Sequence, residues 1–170
     1  RYTKKSKFIA ARNSYHGSTQ GALSLLGVKN QKKGYGPLLP KVNFINFNSS
    51  EDLIKIDDDT AAVILETIQG GAGFILPKLD YLREVKKRCE EVGALLILDE
   101  IQPGIGRTGK MFAFQKYNIK PDILVIGKGL GGGLPIGAFC SSRKLMEKFE
   151  YKPSLGHIST FGGNPVVSSA

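Results

Sequence analysis

Cysteine is scarce in this chain. The two present among 170 residues, Cys89 and Cys140, support neither a disulfide framework nor a cysteine-ligated metal centre. Both sit among apolar neighbours, so buried, reduced thiols in a cytoplasmic protein are expected. No apolar run reaches the roughly 18 residues needed to cross a bilayer, and no signal-peptide pattern is present, so no membrane association is expected. Acidic residues are missing from positions 1 to 50, which hold nine Lys or Arg. Residues 51 to 170 hold 15 charges of each sign, so the whole net excess of +9 lies in that first stretch. A basic arm can bind phosphate backbones. No nucleic-acid motif accompanies it, and the expectation is a solvated basic face or one lying against acidic surface of the same molecule. Internal repeats and low-complexity segments are also lacking.

What is present suits a globular domain. Hydrophobic residues make up 41% and charged residues 23%, which are ordinary values. A chain of this length suits one domain and can bury about 70% of its unfolded surface. The first residue is Arg1, not Met, and the last ones, Val167 to Ala170, suit the start of a helix. A piece of a longer protein is the expectation.

Apolar runs of strand length alternate with helical patterns. Strands are expected at 8–13, 42–47, 61–66, 94–99, 123–127 and 136–141. The continuous apolar runs of the third and fourth suit burial on both faces. Residues 79–92 place Leu79, Leu82, Val85 and Cys89 near a helical period, with Gly93 as a stop. Shorter helices are expected at 21–26 and 111–117. This alternation predicts an α/β domain with a mostly parallel sheet. The link from 128 to 135 is too short for a crossover helix, so the sixth strand should run antiparallel to the fifth. It should also lie at a sheet edge.

In open α/β sheets, ligands bind at the carboxyl ends of strands. Glu66 closes the third strand, Asp99 closes the fourth and Lys128 follows the fifth. An ionised Asp behind five apolar residues is costly unless a cation or several donors meet it. Two nucleotide-binding readings fail on context. The strand ending at Asp99-Glu100 is like a Walker-B strand, but no GxxxxGK[ST] loop exists here. Gly127 to Gly132 matches GxGxxG, yet it leads into a strand and not a helix. Taken together, the three polar groups suit another chemistry. A lysine amine forms a Schiff base with an aldehyde. A carboxylate keeps a pyridine nitrogen protonated, which makes a pyridoxal ring an electron sink. An aromatic such as Tyr15 can stack on that ring.

Five ordered motifs carry a resemblance over essentially the whole chain. They are Ser14-Tyr15-His16-Gly17, Glu66-Thr67-Ile68-Gln69-Gly70, Leu98-Asp99-Glu100-Ile101-Gln102 with Gly106-Arg107-Thr108-Gly109, Gly127-Lys128-Gly129-Leu130-Gly131-Gly132-Gly133, and Ser159-Thr160-Phe161-Gly162-Gly163-Asn164-Pro165. In this order the sequence resembles class-III pyridoxal-phosphate-dependent aminotransferases, most closely the acetylornithine and ornithine branch. The resemblance implies the large domain of fold type I, a mostly parallel sheet with one antiparallel strand and helices on both faces. It implies pyridoxal 5'-phosphate as cofactor and an amino donor and a 2-oxo acid as substrates. It also implies a homodimer for the intact protein. By position, Lys128 resembles the Schiff-base lysine, Asp99 the pyridinium partner and Gln102 the residue near the cofactor 3'-oxygen. Tyr15 resembles the stacking aromatic, with His16 and Gly17 as its turn, and Glu66 a carboxylate beside the cofactor. Thr160 resembles the hydroxyl that reaches the cofactor phosphate of the other subunit.

The sequence departs from that family in three respects. Many ornithine and acetylornithine enzymes carry a second Glu where Gly71 stands. The phosphate-binding turn and its helix are expected upstream of Arg1. The small domain with the arginine for the substrate carboxylate is expected beyond Ala170. Residues 1–170 therefore read as a partial cofactor-binding domain. A non-catalytic fragment and a basic-arm binding module are the alternative readings.

Overall fold

The computed structural model describes residues 1–150 and 157–169. Ala170, the end of the expected terminal helix start, lies outside them. Among these residues six strands form one sheet: β1 (Lys7–Ala11), β2 (Val42–Ile45), β3 (Thr60–Glu66), β4 (Leu95–Asp99), β5 (Ile123–Gly127) and β6 (Gly137–Ser141). The helices are α1 (Gln20–Ser24), α2 (Tyr81–Val92), α3 (Arg143–Met146) and α4 (Pro165–Ser168). The short helix expected at 111–117 is a 3-10 turn at Ala113–Tyr117.

The spatial order is β2-β1-β3-β4-β5-β6. The pairs are parallel except β5 with β6, where Leu124 faces Cys140 and Gly127 faces Gly137 in antiparallel register. The short link after β5 produces this reversal, as expected. All of β3 is buried, from Thr60 to Glu66, because it has a strand on each side and cover on both faces.

The core lies on the face carrying Ile9, Val63, Leu65, Leu96 and Leu98. Helix α2 packs there through Leu82, Val85, Cys89 and Val92, which its 3.6-residue period brings onto one stripe. Each such side chain contributes about 1.5–3 kcal/mol by leaving water. The helix ends at Gly93, whose φ is 68°. The other face is covered by less: α3 and the turn after it sit at one end, beside a hollow of about 440 Å³ walled by Phe8, Ala62, Ile97 and Phe139.

One expectation needs correction. Cys89 is buried, and burial pushes its thiol up to about 12, but Cys140 is exposed. Among the described residues its strand has a neighbour on one side only, and its side chain opens on a surface hollow beside Lys86, Glu90 and Lys120. Part of the basic first stretch is engaged locally. Lys7 pairs with Asp57, Lys5 donates to the carbonyl of Val92 and Lys41 donates to Ser6.

Candidate active site

The strand order reverses at β1. From it the chain moves outward to β2, then returns across β1 to β3. The crevice beyond the carboxyl ends of β1 and β3 is therefore the topological switch point, where doubly wound sheets bind ligands. A cavity of about 270 Å³ opens there. Its walls come from four strand ends. The segment after β1 supplies Tyr15, His16 and Gly17, and the end of β3 supplies Glu66, with Gly71 beyond it. Asp99 closes β4 and is followed by Ile101, Gln102 and Pro103, and Lys128 follows β5. Seven of the eight residues singled out in the sequence thus line one cavity. Thr160, the eighth, is exposed and does not line it.

Asp99 is the best-anchored group. Its side chain is 6% exposed. Oδ1 accepts from the backbone N–H of Ile101 at 3.0 Å, and Oδ2 lies 2.8 Å from His16 Nδ1. His16 is itself 2% exposed in its side chain, and its Nε2 is buried without a partner. The sequence placed His16 only in a turn, and its contact with Asp99 spans 83 residues. The buried carboxylate needing a donor was legible in advance; which donor meets it was not.

Glu66 faces Asp99 in the β3–β4 register. Its Oε2 accepts from Tyr15 N–H and its Oε1 from Gly70 N–H, both at 3.2 Å. One carboxylate thereby joins the loop after β1 to the loop after β3. Burial pushes its carboxyl above the usual range, against the opposing pull of His16 and the two backbone donors.

The Tyr15 turn is seated by a close approach. Gly27 donates to the carbonyl of Ser14 at 3.0 Å. A Cβ at Gly27 would lie 2.4 Å from Ala11 O and Asn13 N, so only glycine lets α1's exit pass under the turn. Tyr15 keeps half its surface exposed, and its hydroxyl lies 3.2 Å from Ser18 Oγ. Lys128 has φ of 47°, a region that residues other than glycine rarely occupy. Such a conformation persists where the surroundings enforce it and is concentrated at functional sites. Here it sits at the head of a 3-10 turn, Lys128–Gly131, between Gly127 and Gly129.

The cavity walls fit an aromatic aldehyde with a ring nitrogen. They offer a primary amine in Lys128, a buried carboxylate in Asp99, an amide in Gln102 and an aromatic face in Tyr15. Among the described residues lining it, Lys128 is the one Lys or Arg. Beyond Lys128, the described wall offers no Lys or Arg to balance a phosphate. No carboxylate stands at Gly71, where a Cβ would meet only Tyr15 Cβ at 3.8 Å.

A mostly parallel α/β sheet whose strand-end cavity gathers a lysine, a buried aspartate and an aromatic suits the class of pyridoxal-phosphate-binding transferase domains. The chain matches the family model described as aminotransferase class-III over residues 1–170, and it belongs to that family. The family is dependent on pyridoxal phosphate. The chain is 45% identical over 168 residues to a [LysW]-aminoadipate semialdehyde/glutamate semialdehyde transaminase of Sulfolobus acidocaldarius, covering 99% of this chain and 43% of the relative. It is equally similar, at 45% over 168 residues, to an acetylornithine aminotransferase of Caldanaerobacter subterraneus, covering 98% of this chain and 42% of that one. The chain thus spans less than half the length of these relatives. Among solved structures, an ornithine aminotransferase from Toxoplasma gondii, described as having partial occupancy of PLP at its active site, superposes with a TM-score of 0.90. It is 36% identical, and the match covers 98% of this chain and 39% of that one.

Proposed function

We propose that the protein carrying this chain is a transaminase that moves an amino group from an ornithine-like or other ω-amino donor to a 2-oxo acid such as 2-oxoglutarate. The carrying observation is the convergence of Lys128 and Asp99 on one cavity at the switch point. In this reading pyridoxal 5'-phosphate occupies that cavity. When bound, it supplies an electron sink for the bond breaking at the amino-bearing carbon. Lys128 would be the amine that meets the cofactor's aldehyde and would take and return a proton at Nζ. Asp99 would hold a proton on the ring nitrogen, and His16 orients Asp99 through Nδ1. Tyr15 would cover a ring face, and Gln102 would meet the ring oxygen. Glu66 keeps the Tyr15 turn in place. Gly71 leaves the wall beside Tyr15 without a charge, which favours donors that need no carboxylate contact there.

The relatives named above support this reading, and their greater length bears on it. The whole protein would act as a cytoplasmic homodimer, with the exposed Thr160 reaching the partner's cofactor phosphate. A second reading, a fold retained without catalysis, draws on the single cation in the cavity wall. Borohydride reduction with cofactor, followed by peptide mapping, separates the two. Pyridoxyl on Lys128 alone supports the transaminase. Labelling spread over surface lysines, or persisting in Lys128→Ala, overturns it.

A further inference from the structure

Glu100 takes no part in the chemistry above, yet it is fully buried, with 0% exposure. Its carboxylate accepts three hydrogen bonds. Thr67 Oγ1 donates to Oε1 at 2.6 Å, Phe114 N–H donates to Oε1 at 2.8 Å and Ala113 N–H donates to Oε2 at 2.9 Å. These donors belong to two segments. Thr67 opens the loop that follows β3, while Ala113 and Phe114 close the loop that begins at Glu100 itself. The carbonyl of Glu100 also accepts from Gly104 N–H at 2.9 Å. Residues 101–112 are thus a loop tied at both ends by one residue.

The two loops meet again at the cavity. A Cβ on Gly70 would lie 1.6 Å from Gln102 Oε1, so the amide of Gln102 rests on the bare Cα of Gly70. The Thr67–Glu100 bond lies behind this contact, at the roots of both loops. A buried carboxylate that met only backbone donors of its own loop would serve that loop alone. This one spends its shortest bond on a side chain of the neighbouring strand end.

We propose that Glu100 is a positioning residue: through Thr67 it ties the 67–75 loop to the 101–112 loop and so holds Gln102 in the wall of the cofactor cavity. The proposal rests on the cofactor reading above. Its test uses three variants of the full-length protein. Thr67→Val keeps the shape and removes the donor. Thr67→Ser keeps the donor. Glu100→Gln sets an amide NH₂ against the N–H of Phe114 or that of Ala113, while the Thr67 hydroxyl can turn to pair with either amide atom.

Two readouts decide. The first is trypsin cleavage after Arg107 and Lys110 in the cofactor-free protein, relative to cleavage elsewhere. The second is the pH midpoint of the bound cofactor's visible absorbance. Thr67→Val and Glu100→Gln should raise the relative cleavage about tenfold, as expected for losing a bond to a charged group. They should also move the midpoint by about half a unit or more. Thr67→Ser should do neither. Should Glu100→Gln fail to fold, Thr67→Val decides alone. An unmoved value of either readout in Thr67→Val overturns the proposal, as does cleavage that rises equally at every Lys and Arg. Failure of the unmodified protein to bind the cofactor would instead overturn the transaminase reading on which the proposal rests.

Discussion

Replacing Asp99 by Asn removes one charge from a side chain that is 6% exposed and leaves its shape almost unchanged. The fold should tolerate this. Asn Oδ1 can still accept from Ile101 N–H, the bond now 3.0 Å long. His16 can answer the new amide by shifting its proton from Nδ1 to Nε2, so that Nδ1 accepts. Nε2, already buried without a partner, stays unpartnered, so this exchange adds little cost. The larger loss is functional. A neutral amide cannot hold a proton on the cofactor's ring nitrogen, and breaking a buried ion pair costs about 3–5 kcal/mol. Spread over the barrier, that is a loss of about two to four powers of ten in rate. The assay is single-turnover transamination with an ω-amino donor, run beside cofactor titration. Cofactor should bind at one equivalent while the rate collapses. Turnover within about tenfold of the unmodified enzyme, with the cofactor fully bound, would refute the assignment.

Gly27→Ala should displace the Tyr15 turn, because the added methyl meets backbone atoms that cannot rotate away; a loss of about 1–3 kcal/mol is expected in urea unfolding, and one below about 0.5 kcal/mol would show the turn to be slack. Stability should also respond to pH through Glu66. Burial raises its carboxyl, so the folded state binds that proton more tightly than the unfolded chain. Its contribution to stability is full below the ordinary glutamate value of about 4.3 and is lost as pH rises through the folded value. Glu66→Gln should therefore lose less stability than the parent as pH rises from about 4.3 through the folded value. Denaturant midpoints across that range check this, and a steeper decline in the variant contradicts it.

Local signals carried much of the architecture. The strands are apolar runs bounded by glycine and polar residues, and α2 is an apolar stripe closed by Gly93. The reversal of β6 followed from the length of one link. Glu66, Asp99 and Lys128 were conspicuous because each interrupts an apolar strand end with a charge that burial penalises. Tyr15 was named for its aromatic face, and three further residues of the cavity wall, His16, Gly17 and Gln102, came from the resemblance. Other features depended on contacts between residues distant in the chain. The order β2-β1-β3-β4-β5-β6 determines which strand ends share the crevice, and no periodicity encodes it. The pairing of His16 with Asp99 and the tie from Glu100 to Thr67 arise only after β1, β3 and β4 lie side by side. Cys140 has the apolar neighbours of a buried residue, yet it is exposed because its strand stands at the edge. Burial depends on what covers a residue from elsewhere in the chain, whereas hydrophobic pattern records only the residue's own neighbourhood.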